Sequence, residues 1–276
     1  MRKTPTQRLI QRDFKLPTLP RVAERVIALA DDPETSAQEI GEAVLADAPI
    51  AMKVLKIANS AYYGLQEEVV STERAASVLG FRVLRNIVLQ ASVISEFDHL
   101  AAAGVIDIDG LWRHSILTGR VCSWMAKRAG EWLGLAPDEL QVVGLLHDVG
   151  KVVLLDQEGQ DYEATVLDSK QSGRPLFACE RDRFGFDHTD VGAMLCARWN
   201  LPETVARAVQ FHHGPREAVA ADPLVCLVAN VNLMLHRLLD DDDPQAARDT
   251  IDPASATILG IDEADVEAAV VTRLRA

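Results

Sequence analysis

The sequence predicts an all-α fold. Ala, Val and Leu recur along its 276 residues, whereas aromatic residues make up only 5%, a composition that favours closely packed helices over a β-sandwich. Apolar residues repeat at helical spacing almost everywhere, without an alternating strand pattern of useful length. With 48% hydrophobic residues, the chain has enough apolar side chains for one large core or two modest ones.

The first helices are predicted at residues 16–33 and 36–64. Residues 16–33, LPTLPRVAERVIALADDP, give a helix that begins after a proline and ends at an acidic turn. Residues 36–64 give two short helices separated at Pro49. At the start of this segment, Ser36 and Glu39 have the spacing of a capping box.

The next helix is predicted as one continuous element over residues 71–93. The stretch that follows, residues 98–110, loses helical periodicity and gathers Gly and Asp. We therefore place a boundary there and expect two packed helical subdomains, residues 1–104 and residues 105–276.

Negative charge is concentrated in the second subdomain. Residues 1–100 contain 12 Lys and Arg against 13 Asp and Glu, whereas the remaining residues contain 16 against 28, and the whole chain carries −13. A chain this acidic repels phosphate backbones, and its basic residues form no stripe. We therefore expect no nucleic-acid partner.

The sequence has the features of a cytoplasmic protein without a membrane partner. No run approaches the roughly 18 to 20 apolar residues that a membrane span needs, and the opening residues MRKTPTQRLIQRDF lack the apolar core of a signal peptide. The cysteines form no CxxC pair and lie in apolar helical contexts, so we expect reduced, buried thiols. They are Cys122, Cys179, Cys196 and Cys226.

Residues 144–155, GLLHDVGKVVLL, place three ionisable side chains in a run that predicts a buried helix. Adjacent His147 and Asp148 would project about 100° apart on a helix, so one turn can offer a nitrogen and a carboxylate to neighbouring metal ions. Lys151 could pair with Asp148 or with a bound phosphate. An equally weighted alternative is that Lys151 lies at the surface, with its aliphatic chain packed against the protein and its ammonium group in solvent.

Five histidines of the second subdomain lie on apolar helical stripes or beside one. His188, for example, aligns with Val191, Leu195 and Trp199. A lone inward histidine is usually a hydrogen-bonded core residue. Burying several is costly unless each has a partner, and a divalent metal ion satisfies several at once. We therefore predict one metal-binding pocket formed by His114, His147, Asp148, His188, His212 and His213.

Four segments of the second subdomain resemble the HD superfamily of metal-dependent phosphohydrolases. They are LWRHSI, GLLHDVGK, FGFDHTDVGAMLCARWNLP and AVQFHH. More closely, the chain resembles the HDOD branch, the HD-related output domain of bacterial signalling. Three segments of the first subdomain resemble the N-terminal half of that domain: LPTLPRVAERVIALADDP, APIAMKVLKIANSAYYG and AASVLGFRVLRNIVL. The resemblance covers roughly residues 15–236 and implies an HD-like helical bundle in residues 105–276.

The resemblance also allows a comparison with the metal pattern of the related HD-GYP proteins. Matches to its ligands or nearby groups are His114, His147, Asp148, Lys151, His188, His212 and His213. Two carboxylates are missing, because Gly110 stands where a glutamate is expected and Asn230 stands where a closing aspartate is expected. The Gly-Tyr-Pro segment is replaced by HHGPREAVAADP. We therefore do not expect cyclic-dinucleotide hydrolysis of the HD-GYP type.

The missing carboxylates favour one metal ion over two. Two divalent ions a few ångströms apart need carboxylates to offset their mutual repulsion, and Asp148 is the one that matches. We expect a single divalent ion held by imidazoles and Asp148, with Asn230 as a weaker oxygen contact. Iron, zinc, nickel, cobalt and manganese are the candidates.

Two function classes follow from the sequence. Within the HDOD family the domain is generally regarded as a regulatory or interaction module, which implies a non-catalytic signalling adaptor that acts on other signalling proteins in trans. The alternative is a metal-dependent phosphohydrolase acting on a nucleotide or phosphoester, with Asp148 holding the metal and Lys151 steadying the phosphate. In either class, a nucleotide or phosphorylated molecule is a candidate ligand.

Overall fold

A computed structural model describes residues 14–100, 106–129, 135–214, 219 and 221–240. Every regular element in these residues is a helix, which confirms the predicted all-α fold. The chain forms two compact units. Residues 18–99 form the inserted unit, and the described residues from 14 to 17 and from 100 onward form the histidine-rich unit.

The inserted unit contains five α-helices. They are α1 (Arg21–Ala30), α2 (Ala37–Leu45), α3 (Ala48–Ala58), α4 (Thr72–Leu79) and α5 (Phe81–Glu96). Helix α5 packs against α1 and α3, and α2 packs against α4. A 3₁₀ turn, Asp98–Leu100, follows α5.

Local capping explains where the first helices begin. The predicted capping box is confirmed, since the Glu39 N–H donates to Ser36 Oγ at 3.2 Å and the Ser36 N–H donates to Glu39 Oε2 at 2.8 Å. The predicted separation at Pro49 is wrong by a few residues. Asp47 caps α3 by accepting from the Ile50 N–H at 3.1 Å, so Pro49 lies within the first turn of the helix, where its missing N–H costs nothing.

The single helix predicted over residues 71–93 is two helices. Ser71 caps α4 by accepting from the Arg74 N–H at 3.1 Å. The chain then breaks at Gly80, which has φ 81° and ψ 158°. Glycine adopts this backbone conformation without strain, whereas other residues do not. The conformation ends the helix at Gly80 although the apolar periodicity of the sequence continues.

The described residues of the histidine-rich unit form eight α-helices. They are α6 (Ile108–Ala129), α7 (Pro137–Leu146), α8 (Val149–Glu158), α9 (Gln160–Ser172), α10 (Leu176–Phe184), α11 (His188–Arg198), α12 (Glu203–Phe211) and α13 (Pro223–Asp240). Helix α6 packs against α7 and α13, and α11 packs against α8 and α12. Among the described helices, none combines the length and the apolarity that crossing a bilayer requires.

Glycines allow two of these helix pairs to touch through their backbones. A Cβ added at Gly144 would overlap the backbone of Gly119, which joins α7 to α6. A Cβ added at Gly150 would overlap the carbonyl of His188, which joins α8 to α11. Because Gly150 follows Asp148 by two residues, this contact brings the beginnings of α8 and α11 together.

Residues 14–17 contact α8 and the residues that flank α11. The Phe14 ring meets Phe186 edge-on at 5.9 Å, and the Lys15 N–H donates to Gln157 Oε1 at 3.2 Å. The Trp199 indole N–H donates to the Pro17 carbonyl at 3.0 Å. The chain thus contacts the histidine-rich unit before it enters the inserted unit.

All four cysteines are buried and unpaired with one another, which confirms the prediction of reduced core thiols. Burial raises the pKa of Cys122, and it raises the pKa of Cys196 to about 12. Such thiols are inert because the reactive form is the thiolate.

Candidate metal centre

The His147–Asp148 pair lies at a break between α7 and α8. The sequence predicted one continuous buried helix here, and that prediction is wrong. Asp148 has φ −105° and ψ 7°, outside the helical range, whereas His147 keeps helical angles. Burial of the pair is confirmed, since His147 is 0% exposed and Asp148 is 1% exposed. The break changes the direction of the chain between two ionisable side chains.

The two carboxylate oxygens of Asp148 face different groups. Oδ1 lies 3.4 Å from His188 Nε2 and 3.5 Å from His212 Nε2. Oδ2 accepts from Lys151 Nζ at 2.6 Å and lies 3.2 Å from His147 Nε2. Lys151 is therefore the partner of Asp148 in this structure, one of the two roles that the sequence allowed.

The opposite ring nitrogen of each neighbouring histidine is held by an acceptor. His188 Nδ1 lies 2.6 Å from Glu180 Oε2, and His212 Nδ1 lies 2.8 Å from the Val209 carbonyl. His147 Nδ1 likewise lies 2.6 Å from the Gly144 carbonyl. Because carboxylate and carbonyl oxygens only accept hydrogen bonds, the hydrogen is on Nδ1 in each ring. In a ring that carries this one hydrogen, the Nε2 atom then presents a lone pair toward Asp148.

The result is a buried group of acceptors without a donor. Asp148 Oδ1, His188 Nε2 and His212 Nε2 have no hydrogen-bond partner among the described residues. Facing lone pairs at this distance repel each other and cost free energy in a buried site. A cation at the centre removes that cost, so this arrangement fits a metal ion.

The spacing of these atoms matches the coordination of a transition metal. In a tetrahedron with metal–ligand distances of ~2.0–2.1 Å, ligand atoms are about 3.3–3.4 Å apart. The distances from Asp148 Oδ1 to His188 Nε2 and His212 Nε2, 3.4 and 3.5 Å, are close to that ligand–ligand distance. A ring nitrogen of His213 completes a four-residue group whose ligand atoms all lie within 4.8 Å of one another. We call Asp148, His188, His212 and His213 the inner cluster.

The electrostatics favour the metal-binding protonation states of Asp148, His212 and His213. Burial lowers the pKa of His212 to about 4, against the opposing effect of Asp148, and burial also lowers the pKa of His213. Burial alone would raise the pKa of Asp148, but the interactions with His147 and Lys151 hold it well below its usual range. Neutral imidazoles and an ionised carboxylate are the forms that bind metal.

A second group lies on the Oδ2 side of Asp148, and we call it the side cluster: His114, His147, Asn232 and His236. His114 Nε2 lies 2.8 Å from Asn232 Oδ1 and 3.9 Å from Asp148 Oδ2. Asn232 Oδ1 is also 3.3 Å from His147 Nε2, and the His114 and His236 rings stack at 4.3 Å. Burial, with the adjacent His147, lowers the pKa of His114 to about 3.

All six residues of the predicted pocket lie in one region, where five are buried and His213 is partly exposed. Their rings form a continuous series, with centroids 5.3 Å apart for His114 and His147, 5.1 Å for His147 and His212, and 4.2 Å for His212 and His213. They separate into the two clusters instead of surrounding a single point. Metal binding by them stays a prediction.

The two positions with a missing carboxylate have different surroundings. The Gly110 N–H donates to Asp107 Oδ1 at 2.8 Å at the start of α6. Asn230 Nδ2 donates to the Cys226 carbonyl at 2.7 Å. The amide that contacts the histidines belongs to Asn232, because residues two apart on a helix face nearly opposite directions.

The sequence did not indicate three participants: Glu180, Asn232 and His236. Glu180 is 0% exposed although its helix, LFACERDRF, has the charge content of a surface helix. Apolar periodicity gave no signal for it. His236 follows Asn232 by four residues on α13, and that spacing on one helical face could have indicated the pair.

The HDOD domain family model matches residues 16–215 of the chain. Three crystal structures share the fold over nearly the whole chain. A candidate phosphohydrolase of Shewanella amazonensis SB2B has a TM-score of 0.76 at 22% identity, covering 96% of this chain and 94% of its own. An HDOD domain protein with unknown function from Geobacter sulfurreducens has a TM-score of 0.73 at 25% identity, covering 97% and 95%. A candidate signal transduction protein of Marinobacter aquaeolei VT8 has a TM-score of 0.71 at 20% identity, covering 96% and 58%.

A curated relative is longer than this chain. Over 233 residues, the chain is 25% identical to an uncharacterized protein of Treponema pallidum (strain Nichols). The matched region is 83% of the present chain and 44% of the relative. The chain thus spans less than half the length of that relative.

Proposed function

Because the chain belongs to the HDOD domain family, we propose that it is a non-catalytic adaptor of bacterial signal transduction whose inner cluster binds one divalent metal ion. In this proposal, the ion stabilises the histidine-rich unit, and the output passes to other signalling proteins in trans. The family membership and the likeness to a candidate signal transduction protein support the signalling part.

The observation that carries the metal part is the set of unpartnered acceptors. Asp148 Oδ1, His188 Nε2 and His212 Nε2 are buried together without a donor among the described residues. Imidazole and carboxylate ligands suit iron, zinc, nickel, cobalt and manganese. Four protein ligands are typical of a structural metal ion, whereas a catalytic ion keeps an open position.

The side cluster supports a site for one ion instead of two. A second ion would share Asp148 and take its remaining ligands from His114, His147, Asn232 and His236. An amide and imidazoles add no negative charge to offset the repulsion between two dications. Asp148 Oδ2, the oxygen on this side, is already neutralised by Lys151.

The alternative is a metal-dependent phosphohydrolase. The observation in its favour is Lys151, a cation beside the inner cluster whose side chain is 12% exposed. A phosphate could draw Lys151 away from Asp148, and Asp148 would then serve the metal ion alone. The likeness to a candidate phosphohydrolase shows a shared fold and does not decide between the two functions.

The proposal is tested by metal analysis and turnover on the same preparation. Protein purified without an affinity tag should contain about one equivalent of a divalent metal, and Asp148→Ala should lose it. His99→Ala, which changes an exposed histidine of the inserted unit, is the matched control and should keep it. The metal-loaded protein should not hydrolyse bis(p-nitrophenyl) phosphate or a cyclic dinucleotide. Turnover that Asp148→Ala abolishes would establish the phosphohydrolase instead.

A further inference from the structure

We infer that Glu180 is a positioning residue for the inner cluster: its buried carboxylate holds the His188 hydrogen on Nδ1 and so aims the Nε2 lone pair at the metal position. The metal-binding part rests on the proposed function. The effect on the His188 ring does not, since it holds for the metal-free protein.

Glu180 is held by donors on both of its oxygens. Oε2 accepts from His188 Nδ1 at 2.6 Å and from the His188 backbone N–H at 3.0 Å. Oε1 accepts from the Tyr162 hydroxyl at 2.8 Å. Tyr162, Glu180 and His188 lie on α9, α10 and α11, so the carboxylate connects three helices.

The His188 ring lies between two carboxylates, and its Nδ1 hydrogen goes to the nearer one. Glu180 Oε2 lies 2.6 Å from Nδ1, and Asp148 Oδ1 lies 3.4 Å from Nε2. The shorter contact decides the position of the hydrogen, which leaves Nε2 free to bind a cation. Without Glu180, the hydrogen would move to Nε2 and donate to Asp148, so that both atoms would no longer be available as ligands.

Glu180 also differs from the groups that hold the other histidines. His147 and His212 direct Nδ1 to neutral backbone carbonyls, whereas His188 directs Nδ1 to a carboxylate. A carboxylate makes the opposite ring nitrogen a better electron donor and raises metal affinity. Among the described residues, no Lys or Arg forms an ion pair with Glu180, so its charge is balanced through the His188 ring, by a proton or by a cation bound at Nε2.

The test uses three variants. Glu180→Ala removes the acceptor, and Glu180→Gln keeps the shape while it removes the charge. Asp182→Asn removes an exposed carboxylate from the same helix and is the control. Circular dichroism and thermal unfolding establish which variants fold, and the isosteric Glu180→Gln is the variant on which the affinity test depends.

The first readout is the ¹⁵N spectrum of the His188 ring in metal-free protein. The inference predicts Nδ1–H in the unmodified protein and in Asp182→Asn, and Nε2–H in Glu180→Ala. Finding no hydrogen on Nδ1 in the unmodified protein would overturn it. This readout decides the role of Glu180 whether or not the protein binds metal.

The second readout is the Kd for Zn²⁺ and Co²⁺, measured by competition with a chelator. Loss of a group that orients a ligand typically costs about 10- to 100-fold in metal affinity, and we expect Glu180→Gln to weaken binding by at least about tenfold. Asp182→Asn should match the unmodified protein. Equal affinity in Glu180→Gln would overturn the inference while leaving the metal site intact, whereas an unmodified protein that binds neither ion would overturn the proposed function.

Discussion

The backbones of Gly150 and His188 are in direct contact. A Cβ at position 150 would overlap the His188 carbonyl, so only a residue without a side chain allows this approach of α8 to α11. Asp148 lies at the start of α8 and His188 at the start of α11. The contact therefore sets the distance between two members of the inner cluster.

Replacing Gly150 by Ala should destabilise the protein and weaken metal binding together. At an open helical position, this change would stabilise the helix by up to about 1 kcal/mol. Here the added methyl group must separate α8 from α11, and overpacking typically costs about 1–3 kcal/mol. Chemical denaturation and metal titration measure both effects. A variant that is more stable than the parent would show that the helices can separate without loss.

Replacing Trp199 by Phe should loosen the attachment of residues 14–17 to the histidine-rich unit without leaving a large cavity in the core. The indole N–H donates to the Pro17 carbonyl, and Arg198 Nε reaches the same carbonyl at 3.3 Å. Loss of one such hydrogen bond costs about 1 kcal/mol. The unfolding midpoint should fall accordingly, and limited proteolysis should cut sooner near residues 14–17. An unchanged cleavage rate would contradict this anchoring role.

The metal-free protein should lose stability as the pH falls below about 6.5. His212 and His114 have folded-state pKa values lowered to about 4 and about 3 from an ordinary value of 6.5. In this range, the unfolded chain binds protons that the folded protein does not, so the unfolded state is favoured. The loss should continue down to about pH 3–4. Urea unfolding with a chelator present, compared at pH 7 and pH 5, measures the effect; equal stability at the two values would contradict the burial of neutral imidazoles.

The native protein should not react with a thiol reagent such as DTNB. All four cysteines are buried, and burial raises the pKa of Cys122 and Cys196. Four thiols should react after denaturation. Rapid reaction of one thiol in the folded protein would show that at least one of these sites opens.

Features that depend on neighbouring residues in the sequence were predictable. The capping box of Ser36 and Glu39 is local, and the inward direction of His188 follows from apolar spacing on α11. Even the exceptions have a local cause, since the break at Gly80 depends on a positive φ that periodicity does not register. The sequence pattern describes which face of a helix is buried and not where the helix ends.

Features that depend on contacts between helices could not be predicted in this way. Glu180 is buried because Tyr162 and His188, on two other helices, supply its donors. The choice between Asn230 and Asn232 depends on how α13 is rotated against α6, which one sequence does not specify. The predicted pocket likewise separates into two clusters because the two carboxylate oxygens of Asp148 face histidines from different helices.

The most direct test of the metal site is the unfolding temperature of the unmodified protein with and without a chelator. An ion that binds only the folded state adds to its stability, so removing the ion must lower the unfolding temperature. We predict a clear decrease on adding the chelator, recovery when one of the candidate metals is restored, and neither effect in Asp148→Ala. An unfolding temperature that chelator leaves unchanged, with no shift on adding zinc, iron, nickel, cobalt or manganese, would contradict the proposal that the inner cluster binds a metal ion.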